Sequence, residues 1–215
     1  MDSKEKVKAC VAATKVVAII RGMAPEICVR LAQAYRAGGI RLVEVTFDQT
    51  GDSAATCAAI RAIGERLGPE MAVGAGTVLT EAQLDMAIAA GASFMVTPST
   101  NPALIRRANA AGVVTMPGAM TPTEIVSAHE AGADYVKVFP VRALGPGYIR
   151  DVLAPLKHIR LLAVGGVSPE NAAEYLKAGC VGVGASGSLV NREWIAAGEY
   201  GKIADVAKQL MENCR

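Results

Sequence analysis

The sequence predicts an α/β protein, a (β/α)8 TIM barrel preceded by one extra N-terminal helix. Three features carry that expectation: eight short β-branched runs, Ala-rich spacers of helical periodicity between them, and an Ala-Gly pair ending most spacers. The runs cover residues 16–20, 42–47, 72–78, 94–97, 113–116, 135–139, 160–164 and 181–183. Each is apolar and bounded by turn residues, as expected of a strand covered on both faces. Helix starts are also marked. Thr80 precedes Gln83 and Thr121 precedes Glu124 by capping-box spacing, which pairs two side chains with orphan backbone N–H groups. Asn101-Pro102 and Ser168-Pro169 place a capping oxygen before a proline at the first helical position, where a missing N–H is tolerated. The helices end at Ala37-Gly38, Ala90-Gly91, Ala111-Gly112, Ala131-Gly132 and Ala178-Gly179, where glycine can turn the chain through the left-handed region.

Strand, helix, Ala-Gly, strand implies parallel strands joined by right-handed crossovers. Eight such units leave about 27 residues each, roughly the minimum for a closed barrel. An open doubly wound sheet is the rival arrangement, and eight strands without a shift in composition favour closure. The segment before Val16 reads as a helix closing the barrel bottom, and residues 194–210 as the last helix. No linker-like run interrupts the pattern, so residues 1–215 are expected to form a single domain.

Composition narrows the function classes. With 52% hydrophobic and 20% charged residues, the chain can build a sizeable core, which argues against disorder. Aromatics are 4%, so Ala, Val, Ile and Leu must fill that core. A net charge of +2 excludes the strongly basic footprint of a nucleic-acid partner but leaves room for a local anion pocket. The five cysteines, Cys10, Cys28, Cys57, Cys180 and Cys214, are odd in number, widely spaced and lack a C-x-x-C pair. They suit reduced thiols in a cytoplasmic protein. Charges at Lys4, Glu5, Lys6, Lys8 and Lys15 break any secretory core, and the uncharged stretch 86–105 is interrupted by Gly91, Pro98 and Pro102. His129 and His158 have no ligand spacing, so no metal is expected. A nucleophile elbow, a P-loop and a dinucleotide fingerprint are absent. Gly74-Ala75-Gly76-Thr77 reads as a strand end where backbone or Thr77 approaches a ligand.

In a (β/α)8 barrel the chemistry sits at the C-terminal strand ends, so charge inside a strand is informative. Lys137 lies between Val136 and Val138 and points to the opposite face, and Glu44 does the same between Val43 and Val45. Either could belong to a structural ion pair. The chemical alternative is an imine: burial lowers a lysine's pKa, and the neutral amine can attack a ketone. A nearby carboxylate could then move the protons. A close carboxylate also favours the ammonium, so this chemistry requires burial to outweigh Glu44 in setting the acidity of Lys137. At the ends of strands seven and eight, Gly165-Gly166-Val167-Ser168 and Gly184-Ala185-Ser186-Gly187-Ser188 stand where phosphate-binding barrels present backbone N–H groups and a helix N-terminus to an anion. Arg21, after strand one, is a second candidate anion contact.

Taken in order, several stretches carry a family resemblance. They are residues 17–22 (Val-Ala-Ile-Ile-Arg-Gly), 42–46 (Leu-Val-Glu-Val-Thr), 74–79 (Gly-Ala-Gly-Thr-Val-Leu) and 96–99 (Val-Thr-Pro-Ser). They continue with 117–122 (Pro-Gly-Ala-Met-Thr-Pro), 131–140 ending Tyr-Val-Lys-Val-Phe-Pro, 145–149 (Gly-Pro-Gly-Tyr-Ile) and 164–167 (Val-Gly-Gly-Val). This set resembles the 2-keto-3-deoxy-6-phosphogluconate / 4-hydroxy-2-oxoglutarate (KDPG/KHG) aldolase family of class I, Schiff-base enzymes. The resemblance implies Lys137 as the imine-forming lysine and Glu44 as the general acid/base. It implies that Arg21 and Thr77 contact a small-molecule keto-acid substrate, with Pro98 and Phe139 lining the pocket. Gly165 and Gly166 match the phosphate loop, with Ser186, Gly187 and Ser188 in the last loop. It further implies a homotrimer, no metal or organic cofactor, and cleavage of a 2-keto-3-deoxy-6-phospho sugar acid, the gluconate or its galactonate epimer, to pyruvate and glyceraldehyde 3-phosphate.

Three positions depart from the pattern. Asp48 stands where many members carry an arginine that helps hold the pyruvate carboxylate, Val164 where some carry threonine, and Gly187 at the usual serine position. The imine chemistry is intact, but the substrate choice is opened. Cleavage of 4-hydroxy-2-oxoglutarate to pyruvate and glyoxylate is the alternative within the same chemistry. A phosphate-binding barrel isomerase or synthase, in which Lys137 only pairs with Glu44, is another class. A non-catalytic binding barrel, for which Asp48 speaks, is a third.

Overall fold

The computed structural model describes residues 3–215, so the first two residues of the expected domain lie outside the described residues. In chain order the elements are α1 (Ser3–Thr14), β1 (Val16–Ile20), α2 (Pro25–Ala37), β2 (Leu42–Thr46), α3 (Ser53–Leu67), β3 (Ala72–Gly76) and α4 (Glu81–Ala89). There follow β4 (Phe94–Val96), α5 (Pro102–Ala110), β5 (Val114–Met116), β6 (Gly118–Ala119), α6 (Pro122–Glu130) and β7 (Val136–Val138). The chain ends with α7 (Gly145–Leu153), β8 (Leu161–Val164), α8 (Ala172–Lys177), β9 (Gly182–Ala185), α9 (Arg192–Ala197) and α10 (Tyr200–Asn213).

All strand pairs are parallel, in the order β5-β4-β3-β2-β1-β9-β8-β7-β6. The ninth strand is not a ninth βα unit. Pro117 separates β5 from β6 within one extended segment, whose first part pairs with β4 and whose second part pairs with β7. Tyr135 N–H to Thr115 O (3.1 Å) and Lys137 N–H to Pro117 O (2.8 Å) carry the ladder across the break. The barrel therefore closes through a fifth strand that proline interrupts, as expected where a residue cannot donate to the ladder.

Alternation along the strands divides the interior into two cores. Outward residues such as Val16, Ala18, Val43, Val45, Val73, Met95, Val136 and Val138 pack under the helices. Inward residues Val17, Leu42, Ala72, Phe94, Val114, Tyr135 and Leu162 fill the barrel, joined from below by Val7 and Val11 of α1. The predicted extra helix thus plugs the bottom. Lys4 and Lys8 fasten it there by ion pairs to the buried Asp134 at 3.0 and 3.3 Å. Asp134 also accepts from the Thr115 N–H at 3.0 Å, and its own N–H donates to Thr115 Oγ1 at 3.1 Å. Burial alone would raise the Asp134 pKa, but these hydrogen bonds and lysines outweigh it and hold the carboxyl below its ordinary value.

Several local expectations need correction. Thr121 and Glu124 form a full capping box, whereas Gln83 accepts from the Leu79 N–H rather than from Thr80. Asn101 caps α5 as expected. The helix after Ser168-Pro169 begins only at Ala172, because Ser168 O is engaged by the N–H groups of Asn171 and Ala172 in a tight turn first. The segment 194–210 is two helices, since Gly198 at φ +73° ends α9 and α10 starts afresh. The Ala-Gly ends behave as expected except at Gly38. There Gly39 takes the positive φ, while a Cβ on Gly38 would strike Ala204 O and Lys208 N of α10. That glycine is needed for the close approach of α10 to α2. No helix among the described residues is long and apolar enough to cross a membrane.

Replacing Asp134 with Ala leaves the Thr115 N–H without its acceptor and removes one anionic partner each from Lys4 and Lys8, which keep Asn109 and Glu5, and should cost about 1–3 kcal/mol in a urea melt at pH 7. The group's native pKa lies below 3.8. Its contribution is therefore complete above that pH and fades as pH falls toward the native value, so the two proteins should converge in strong acid. An equal difference at pH 7 and pH 2 would refute the assignment.

Candidate active site

The inward layer above the apolar plug contains the charge. Lys137, mid-way along β7, is 6% exposed, and Glu44, mid-way along β2, is 2% exposed. Ile19, Val96, Met116 and Val164 surround them. Small residues make the room. A Cβ at Gly76 would overlap the Glu44 carboxylate, and one at Gly74 would overlap the Phe94 ring. The Gly-Ala-Gly stretch of strand three is thus a packing device for Glu44 and Phe94, and only Thr77 faces the cavity. Of the two alternatives the sequence left open there, backbone or Thr77, it is Thr77 that reaches the cavity.

No direct ion pair joins Lys137 and Glu44. Burial is the largest influence on each. It pushes the Lys137 pKa down, opposed by the charge of Glu44 and assisted by Arg21. It pushes Glu44 up, opposed by Lys137 and Arg21. Both groups are therefore biased toward their neutral forms, the condition under which a lysine amine is nucleophilic. The Lys137 Nζ also stands 4.8 Å from the centre of the Phe139 ring.

A cavity of about 560 Å³ opens above this pair at the C-terminal strand ends. It brings together every candidate named from the sequence: Lys137, Glu44, Arg21, Thr77, Pro98 and Phe139, with Gly165, Gly166, Ser186, Gly187 and Ser188. Thr77 is held at φ +54°, an unusual conformation for a β-branched residue. Gln49 secures it by donating to Thr77 O at 2.9 Å, and Gln83 in turn donates to Gln49 at 3.0 Å. Gly165 and Gly166 have φ +100° and +87°; a Cβ at Gly165 would press on Pro140 at 3.1 Å, and one at Gly166 would meet the Arg142 side chain at 2.7 Å. Ser188 Oγ donates to Val167 O at 3.1 Å and knits the two anion loops together. The last loop is a tight turn closed by Leu189 N–H to Ser186 O, so no helix N-terminus points from it into the cavity.

Arg142, also in the wall, was missed. Its signal was a basic residue just past a strand end, which alone does not distinguish it from a solvated arginine. Thr46 was passed over too: on the same face as Glu44, its hydroxyl is buried with no hydrogen-bond partner. Asp48 turns away from the cavity. Its carboxylate accepts from the Thr50 N–H and hydroxyl at 2.9 and 2.8 Å, which lowers its pKa. The acid therefore organises its own loop and does not line the site. Val164 lines it directly. His129 and His158 pack edge to face at 5.0 Å outside it, and no metal-binding cluster exists among the described residues.

The family model for KDPG and KHG aldolases matches residues 7–206. The chain belongs to the KDPG/KHG aldolase family. Within that family it is 38% identical over 174 residues to the 2-dehydro-3-deoxy-6-phosphogalactonate aldolase of Escherichia coli strain K12, covering 80% of this chain and 83% of that one. It is 37% identical over 188 residues to the 2-dehydro-3-deoxy-phosphogluconate aldolase of Treponema pallidum, covering 87% of each. Among solved structures it matches the KDPG aldolase of Legionella pneumophila, in which pyruvate is captured at low pH as a covalent carbinolamine intermediate. That match has a TM-score of 0.84 and 25% identity over 98% of both chains. The shared architecture confirms the (β/α)8 barrel and leaves the open doubly wound sheet without support.

If burial governs Lys137, its titration should respond to Glu44 in a defined direction. Reductive methylation with ¹³C-NMR should give Lys137 a pKa below the ordinary 10.5, and Glu44→Gln should lower it further by removing the attracting carboxylate. An unmoved or raised value in the variant would refute the coupling.

Proposed function

We propose that this chain is a class I aldolase that reversibly cleaves a 2-keto-3-deoxy-6-phospho sugar acid to pyruvate and glyceraldehyde 3-phosphate. The observation that carries the reading is a lysine buried in mid-strand, pushed toward its neutral form by desolvation and left without a direct ion pair. This speaks against the reading in which Lys137 serves only as a structural partner of Glu44.

In the proposed sequence the Lys137 amine adds to the C2 ketone, giving a carbinolamine that loses water to form an iminium. Removal of the C4 hydroxyl proton breaks the C3–C4 bond. Its electrons pass to the iminium, leaving the enamine of pyruvate and releasing the aldehyde. Protonation at C3 and addition of water then free pyruvate and the amine. Glu44, biased toward protonation yet close enough to feel Lys137, is assigned the proton transfers. Arg21, whose charge reaches both groups, is assigned the keto-acid carboxylate, with Thr77 beside it. Pro98 and Phe139 line the reacting end. The phosphate is assigned to the backbone N–H groups of Gly165, Gly166, Ser186, Gly187 and Ser188, whose glycines let an anion come close.

We further propose that residues 1–215 act as one domain, that the chain assembles as a homotrimer, and that it works in the cytoplasm. The free state of all five cysteines supports a reducing compartment. Leu79, Met86 and Met120, large apolar side chains exposed around strands three to five, support an association surface there. Among the family's substrates, the turned-away Asp48 removes the main electrostatic objection to an anionic keto acid.

Borohydride reduction in the presence of pyruvate should leave a covalent adduct that peptide mass analysis maps to Lys137. An adduct elsewhere, or none, overturns the mechanism. Lys137→Ala should abolish cleavage, and Glu44→Gln should slow turnover by about 10²–10⁴-fold. Full turnover in Glu44→Gln would remove it from the acid/base role.

A further inference from the structure

The two arginines in the cavity wall are Arg21 and Arg142, beside the desolvated Lys137, and the single lining acid is Glu44. Arg21 is the arginine whose charge reaches Glu44 and Lys137. Arg142 stands elsewhere, against the glycine loop after β8. Its Nε lies 2.7 Å, its Cβ 3.0 Å and its Cγ 3.2 Å from the position a Cβ would take on Gly166. The arginine stem therefore occupies the space that a side chain at residue 166 would fill.

The backbone beneath it is held firmly. Val141 is fully buried, and its N–H donates to Val164 O at 3.0 Å. Its carbonyl accepts from the N–H groups of Leu144 and Gly145 at 3.0 and 2.9 Å, and from the Tyr175 hydroxyl at 3.4 Å. The guanidinium itself has no ion pair or hydrogen bond among the described residues. Glu170, two residues past the lining Ser168, accepts from the Ser168 hydroxyl and does not line the cavity. An arginine that is anchored at its base, laid along an anion loop and free at its tip presents a planar fork of donors suited to a tetrahedral oxyanion.

We propose that Arg142 is a specificity-determining residue for the distal phosphate of the substrate. It supplies a side-chain cation where the glycine loops supply only N–H groups. The inference rests on the phospho-sugar-acid reading above and refines it. Two separate cationic ends, Arg21 beside Lys137 and then Arg142, each marked by its arginine, fit a chain with a carboxylate at one terminus and a phosphate at the other. Because the guanidinium is exposed, the contribution should weaken with added salt.

The test compares kcat/KM for a phosphorylated 2-keto-3-deoxy sugar acid and its unphosphorylated counterpart in the unsubstituted protein, Arg142→Gln and Arg142→Lys. Arg142→Gln should reduce the preference for the phosphorylated substrate by about 10–100-fold, mostly through KM, as expected for loss of a charge-assisted hydrogen bond. Arg142→Lys should recover part of it, as a point charge without the fork. An equal loss for both substrates, or no loss, overturns the proposal. A second measurement is independent of turnover: inorganic phosphate titrated by calorimetry should bind Arg142→Gln at least tenfold more weakly than the unsubstituted protein, and equal affinity overturns the assignment. Failure of pyruvate trapping in the unsubstituted protein would instead strike the aldolase reading, so the two failures are distinguishable.

Discussion

An amine placed among apolar side chains loses the hydration that favours its charged form, and that constraint at Lys137 organises the interior of this barrel. Below it the barrel is packed with Val17, Leu42, Phe94, Val114 and Leu162, and α1 seals the lower mouth with Val7 and Val11. Around it lie Ile19, Val96, Met116 and Val164. Glu44 enters the same layer only because Gly76 has no side chain. Had the carboxylate made a direct ion pair, its attraction would have worked against the desolvation. The arrangement keeps it near enough to influence the lysine and leaves burial as the larger effect.

A second consequence concerns charge. The chain as a whole is close to neutral, at +2, yet the cavity wall sets two arginines and a lysine against one acid. The imbalance is local because the remaining charges are spent elsewhere. Lys4 and Lys8 hold α1 to Asp134, and Arg107 pairs with Asp85 and Glu81 on the helical surface. Asp48, which the sequence places beside the site, is consumed by its own loop through Thr50. Net charge alone therefore carried no information on the charge of the cavity.

The (β/α)8 repeat was legible because it depends on local patterns: apolar runs, capping residues and terminal glycines act within a few residues of themselves. Asn101, Thr121 and Glu124 cap where their spacing says they should. The misreadings fall where a local signal competes with distant contacts. Gly38 has the form of a helix-ending glycine, but its smallness is required by α10 from the far end of the chain. Pro117 breaks a strand that must pair on two sides, so one strand registers as two. At Gly74 to Thr77 the sequence left backbone and Thr77 both open as the ligand-facing group; Thr77 reaches the cavity, while the glycines make room for the Phe94 ring and Glu44 carboxylate from neighbouring strands.

By itself, the sequence determined the succession of strands and helices, the two charged residues inside apolar strands, and the glycine loops at the last strand ends. These are properties of residue type and spacing, and alternation alone sends Lys137 and Glu44 to the same side of their strands. Only the tertiary structure decided how those groups act on one another. Barrel closure turns eight strand ends toward a common axis, so residues from Arg21 to Ser188 meet in one cavity. It also decided that Lys137 is desolvated without a direct carboxylate partner, that Asp48 points away, and that Arg142 lies along Gly166. Each of those outcomes depends on distance and burial between residues remote in the chain, which no spacing along a single strand encodes.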